Sequence, residues 1–441
     1  MSTLDALTDF VATANAGDLP AGERTILRRH TADVVAARVA GAACSEGKAV
    51  AAFFPPGDGI EAVAGLATLV RLTETDDIHT PSGTTPSSVA VPVALALAAE
   101  APCSAGQLES AIHVGLETTV RLGMAVGGAK VLYQGLWPTR TCATLGAAAT
   151  AARVWGLGRD ETRNALSLAV MLTAGRTGRF SGEPSGRWIL FAHAVASGVR
   201  AARAARAGFK GDLTVLDGDW LALSLGLPVD LGVLVGNLGR TSVLTQLSLK
   251  PYCTARQALP GAEAMRALAA QGLDPAAIES FMIKAPAAYV GMISQKLDPA
   301  IRSSAFTSGP GNVAIAALDP GSLYDIERTR ALHDPRIAAL AAKGTVVADP
   351  DLDALYPSRW PARLEVRTAN ATLFHEVLEP LGDPANPISD DALAEKARNV
   401  LGHVGRAADV APLLAATRDP FASDTSATAL ARYFARGSAI R

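Results

Sequence analysis

Through the first 245 positions apolar residues recur at helical spacing, and no strict alternation of apolar and polar residues appears. Residues 4–14 and 26–43 read as helices. In the second of these Leu27, Val34, Val35 and Val39 share a face, with His30 and Asp33 as a solvated or interhelical pair. AVAAFFPPGDGIEAVAG (49–65) reads as a turn-rich connector, because Pro55-Pro56-Gly57 blocks a helix there. Helices follow at 89–99, 108–122 and 159–174. Pro138 and Thr139 precede an Ala-rich helix whose small residues Ala143, Gly146, Ala147 and Ala151 allow close approach, which predicts a central position. The pattern changes near 246. LTQLSLKPYCTAR, a helix ending near Gln271, and IESFMIKAP with its alternating Phe281, Ile283 and Ala285 predict strand–helix–strand. ARLEVRTANATLFHEVLEP predicts a hairpin, with Leu364 and Val366 alternating and Ala369-Asn370-Ala371 as the turn. The tail returns to helix. The expectation is a mainly α chain with an α+β second domain: a large all-helical domain of 1–245 plus 391–441, and a smaller α+β domain of 246–390.

Composition narrows the function classes. Forty Lys+Arg against 42 Asp+Glu in 441 residues leave a net charge of −2, without the basic footprint of a nucleic-acid binder. No run of about 18 uncharged apolar residues marks a membrane span. MSTLDALTDF lacks the basic and apolar regions of a signal peptide. Cys44, Cys103, Cys142 and Cys253 are widely separated and form no CxxC, which fits thiols in a reducing cytoplasm. The expectation is therefore a cytoplasmic protein with no nucleic-acid or membrane partner. GxSxG, Walker A, HExxH and GxGxxG strings are absent, and HEVLE at His375 lacks a second His, so zinc is not expected. The abundance of Ala, Arg and Gly fits a GC-rich genome and specialised metabolism.

Candidate chemistry concentrates in two stretches. DDIHTPSGTTPSSVAVP (76–92) places Asp76, Asp77, His79, Thr84 and Thr85 just ahead of an apolar helix, where a loop can hold an anion. Its ordinary alternative is a surface loop with a Ser/Thr helix cap. GRTGRFSGEPSGRWILFAHA places Arg176, Arg179 and Arg187 in a Gly/Ser-rich loop, and arginine forks onto carboxylate or phosphate.

Several separated strings agree with one known family. TADVVAARVAGA, DDIH…TTPSSVAVPVALALAAE, PTRTCATLGAAATAARVWGLGRDETRNALSLA, GRWILFAHAVASGVRAARAARAGFKG and LSLKPYCTARQALPG occur in that order. Leu355-Tyr356-Pro357 ahead of PARLEVR and GDPANPISDDALAEKARNVL follow. The chain resembles the MmgE/PrpD family, which includes 2-methylcitrate dehydratase and cis-aconitate decarboxylase. The resemblance implies an active site between a helical and an inserted α+β domain, a homodimer, and no required metal or organic cofactor. It also implies proton abstraction beside a carboxylate, followed by loss of water or CO2 or by reprotonation.

Position by position, the resemblance matches the family's paired acids to Asp76 and Asp77, and its KPY lysine to Lys250, followed by Tyr252. The family's two histidines fall at Thr85, ahead of Pro86, and at Trp137, ahead of Pro138; its helix-opening lysine falls at Arg187. Hydroxide is a poor leaving group and needs a proton donor. Missing imidazoles beside arginines therefore favour an anionic leaving group such as phosphate, neutralised by Arg140, Arg187, Arg176 or Arg179. On this reading the chain is a cofactor-independent carbon–oxygen lyase on a small carboxylate-bearing substrate. Lys250, Asp77, His79 and Tyr252 are its catalytic candidates; Thr84, Thr85, Trp137 and the four arginines are its binding candidates. The alternatives are the family's usual dehydratase or decarboxylase, an epimerase or isomerase, and a non-catalytic binding or partner subunit in which Trp137 fills the former His site.

Overall fold

A computed structural model describes residues 2–54, 57, 59–173, 175–176 and 185–436. It divides into two compact units, one formed by the chain up to Leu247 and again from Arg406, the other by Ser248–Gly405.

The first unit is helical. Its central helix, Pro138–Val154, is buried on every side, Arg153 alone being half-buried. It packs against Ala105–Ala125 and Gly186–Arg206. Small residues set these distances: a Cβ on Gly146 would stand 1.9 Å from Thr119 Oγ1, and one on Gly198 would stand 2.2 Å from the Thr144 carbonyl oxygen. Backbones that close leave no room for a larger side chain. Ser87–Glu100 is apolar nearly all round and correspondingly buried, as a helix without a polar face must be. The C-terminal helix Asp424–Arg436 lays Ala427, Leu430, Ala431 and Phe434 against it, one stripe at 3–4-residue spacing.

The helices run longer than their sequence signals. The supposed connector 49–65 is mostly helix, Ser45–Phe53 and Ile60–Arg71, with the break confined to the residues between them. Ala-rich flanks carry helix on both sides of the Pro-Pro-Gly string, which blocks less of the chain than expected; Pro55 and Pro56 themselves lie outside the described residues.

The second unit holds a four-stranded sheet in the order Gly344–Ala348, Ile278–Ala285, Ala362–Thr368, Thr372–Val377. The first pair is parallel, with Phe281 opposite Gly344; the other pairs are antiparallel, with Leu364 opposite both Ile283 and His375. Phe281, Ile283, Leu364 and Val366 are buried on the face covered by Leu259–Ala270. The strand 344–348 was not expected. It is short and half-exposed and lacks the alternation that betrays a strand. The strand expected in LTQLSLKPYCTAR (244–256) is reduced to Leu247–Ser248, and 249–256 is irregular. Asp390–His403, which the sequence reading grouped with the helical domain, packs on Pro320–Tyr324 in the second unit.

The irregular segment 249–256 is held by hydrogen bonds from all sides. The Leu249, Cys253 and Ala255 N–H groups donate to the Gly382, Leu323 and Phe306 carbonyls at 3.0 Å each. Arg328, fully buried, donates to the Cys253 carbonyl and to that of Ser322. Arg256 donates to the Trp360 carbonyl at 3.0 Å and pairs with Asp383 at 2.5 Å. Buried backbone requires such partners, and here two arginines supply them.

Candidate functional site

The loop leading into Ser87–Glu100 is built around Asp77. Its carboxylate, 1% exposed, accepts the Ser87 hydroxyl at 2.6 Å and the Ser87 backbone N–H at 3.2–3.3 Å. Nδ1 of His30 stands 3.3 Å from the same carboxylate. An acid serving the otherwise unpaired first N–H of a helix is favoured by both hydrogen bonding and the helix dipole. His30, expected as a solvated or interhelical pair with Asp33, thus belongs to this network. No sequence signal links it to an acid 47 residues on. Its neighbour Asp76 lies 3.3 Å from Arg71, which also meets Glu74 at 3.1 Å.

His79 closes the next turn. Its N–H donates to the Thr84 carbonyl at 2.8 Å, and the Gly83 N–H returns to its own carbonyl at 2.9 Å, with Gly83 at φ 66° where a side chain would be strained. Nδ1 accepts the Ser82 N–H at 3.2 Å, which leaves the proton on Nε2 to donate to Gln246 Oε1 at 3.2 Å. Burial pulls the imidazole down to about 4. A neutral, fully buried ring with both nitrogens bonded has no capacity left to take a substrate proton near pH 7. Thr84 Oγ1 is bonded to Ser82 Oγ at 2.7 Å. Thr85 binds the first turn of Pro138–Val154 through its N–H to Thr139 Oγ1 at 3.0 Å.

Trp137 caps that helix, with Pro138 at the first position where its missing N–H costs nothing. The arginines do not form one cluster of shown contacts. Arg140, buried, donates to the Gly175 carbonyl at 2.7 Å, and burial lowers its pKa. Arg176 is exposed and donates to the Gly226 carbonyl at 2.9 Å. Arg187 lies 4.2 Å over the ring of Trp188. Arg179 lies outside the described residues. Beside the His79 turn a cavity of about 470 Å³ is lined by Arg121, Asp230, Asn237, Ser242, Val243 and Gln246, among others.

Lys250 and Tyr252 are in the second unit, on the segment that Arg256 and Arg328 hold. Lys250 is 2% exposed and Tyr252 is fully buried. The Tyr252 hydroxyl has no hydrogen-bond partner among the described residues, and burial pushes its pKa well up. The ring meets Tyr324 edge-on at 6.0 Å, with Arg266 5.8 Å from its centre. Burial raises the carboxyl of nearby Glu263 to about 7 although the Leu381 N–H donates to it at 2.9 Å. A lone Glu inside Leu259–Ala270 gave no sequence signal. Burial also raises both core thiols, Cys253 to about 12 and Cys142 further, so neither is a nucleophile. Among the described residues no group of three His, Cys, Asp or Glu side chains could hold a metal ion.

Family models place these features. The MmgE/PrpD N-terminal domain matches residues 57–225, and the MmgE/PrpD C-terminal domain matches residues 252–417. The chain belongs to the MmgE/PrpD family. None of the curated proteins compared with it matches. The N-terminal match spans the Asp77 loop, Trp137 and Arg187, and the C-terminal match begins at Tyr252, two residues after Lys250. Among the described residues no helix is long and apolar enough to cross a membrane.

Proposed function

We propose that this MmgE/PrpD chain is a dehydratase-type lyase acting on a small hydroxy acid, with Lys250 as the base and Tyr252 as the proton donor. Family membership supports the lyase class, since its members are typically dehydratases and related lyases. The observation that carries the assignment of roles is the Tyr252 hydroxyl, buried, protonated at neutral pH and without a partner among the described residues. It answers the difficulty raised by the missing histidines, because a donor for the departing hydroxyl need not be an imidazole. Lys250 takes the proton from the carbon beside the substrate carboxylate. The electron pair forms the C=C bond, the C–O bond breaks, and the hydroxyl leaves as water with the Tyr252 proton. Dehydration is preferred to phosphate loss because it is the reaction typical of the family.

The test is proton NMR of hydroxy acids incubated with the enzyme in D2O, alongside Lys250→Ala and Tyr252→Phe. Water loss that disappears with Lys250→Ala and falls at least about a hundredfold with Tyr252→Phe is the expected result. Release of inorganic phosphate from a phosphorylated acid, with no dehydration of its hydroxy counterpart, would restore the phosphate reading. Deuterium entering recovered substrate without any water loss would make the enzyme an epimerase.

A further inference from the structure

Trp137 belongs to an aromatic and cationic assembly that the Asp77 loop does not explain. Its ring centre lies 5.9 Å from that of Phe191, tilted by 33°, and 6.4 Å from that of Trp188, edge-on. The Arg71 guanidinium stands 5.6 Å from its centre, itself fixed by Glu74 and Asp76. Trp188, 3% exposed, is pinned by its Nε1–H donating to Glu46 at 2.8 Å, and carries Arg187 4.2 Å over its ring. Phe191 is fully buried, whereas Trp137 is half-buried. Two of the positions at which this chain departs from the pattern its family resemblance implies, Trp137 and Arg187, therefore meet on one intermediate ring, Trp188.

An indole clamped by two aromatic rings and a guanidinium is already ordered before any ligand arrives, so a flat group stacking on it costs little entropy. The same place is cationic. Arg187 is held beside it, and Arg140 in the next helical turn is buried with an Nε that has no partner among the described residues. A compact aliphatic polycarboxylate would use the charges but gain nothing from the ring. We propose that Trp137 is a specificity-determining residue of an anion site in the first unit, selecting a ligand whose carbon frame includes a flat aromatic or conjugated portion. Only the role of that anion as a substrate rests on the dehydratase reading.

Its test is calorimetric titration of the full chain, as wild type, Trp137→Leu and Trp137→Phe, with two probes, cinnamate and citrate, followed by incubation with 3-hydroxy-3-phenylpropanoate in D2O. Wild type should bind cinnamate about tenfold more tightly than citrate, the size expected of one good aromatic contact. Trp137→Leu should lose about that factor for cinnamate and leave citrate unchanged, while Trp137→Phe should retain most of it. Citrate binding as tightly as cinnamate in wild type, binding of neither, or indifference of cinnamate to Trp137→Leu overturns the proposal. The wild-type comparison decides even where a variant does not fold. Citrate dehydration without cinnamate preference would leave the lyase reading standing alone. Trp137-dependent cinnamate binding with no water loss from any hydroxy acid would leave the specificity and remove the lyase.

Discussion

Replacing Asp77 by alanine should destabilise the first unit more than it harms any chemistry directly. Three donors converge on that carboxylate: the Ser87 hydroxyl, the Ser87 N–H and His30 Nδ1. All three residues are at most 2% exposed, so water cannot take over. A buried donor left without an acceptor costs about 1–3 kcal/mol, and loss of the helix-start charge adds about 0.3–1 kcal/mol. One donor is relieved, because Ser87 Oγ, 3.4 Å from His30 Nδ1, can accept the His30 N–H. The remainder, two donors and the helix-start charge, comes to about 2–7 kcal/mol. Asp77→Asn keeps one acceptor oxygen and should cost about half as much. Urea unfolding followed by circular dichroism gives the total. Hydrogen exchange over Ser87–Glu100 localises it, since that helix should lose protection first. A change within about 1 kcal/mol for Asp77→Ala would refute the reasoning and return Asp77 to the list of groups held ready for substrate.

Three further expectations follow from burial. His79 holds its proton only below about pH 4 when folded, against an ordinary 6.5, so the unfolded chain binds the extra proton first. Stability should therefore fall as pH drops from about 6.5 towards 4, by up to about 3 kcal/mol, and denaturant midpoints of His79→Gln should lose that component. Glu263 runs the opposite way: folded near 7 and ordinarily 4.5, it holds its proton better in the folded state and weakens the fold as pH rises through 7. Glu263→Gln should gain about 3 kcal/mol at pH 8 and almost nothing at pH 4.5, read from the same midpoints. Gly146→Val should cost more than about 2 kcal/mol or fail to fold, because even its Cβ meets Thr119 Oγ1 at 1.9 Å; a neutral result in thermal melts would contradict the close helix approach.

What could be read along the chain was whatever repeats within a few residues. The stripe of Ala143, Gly146, Ala147 and Ala151 identified a central helix because close packing demands small residues at that spacing. Alternation in Phe281, Ile283, Leu364 and Val366 identified the inner face of the sheet. Gly344–Ala348 escaped because it is half-exposed and its parallel partner, Ile278–Ala285, lies about 60 positions earlier. The 76–88 loop was legible as a concentration of polar groups, yet their meaning changes once burial is known. In water, Asp77, His79, Thr84 and Thr85 would be free to meet a ligand. At 0–3% exposure each must first satisfy itself, and the loop does so through Ser87, Ser82, Gln246 and Thr139. A buried polar loop is thus a hydrogen-bond network before it is a site, and chemistry falls to groups that the network leaves over. By that criterion the weight moves from the Asp77 loop to Tyr252, whose hydroxyl is equally buried but unmatched among the described residues. Tyr252→Phe therefore separates the alternatives better than any change in the loop. It removes one oxygen from a packed ring, so stability should change little while water loss falls.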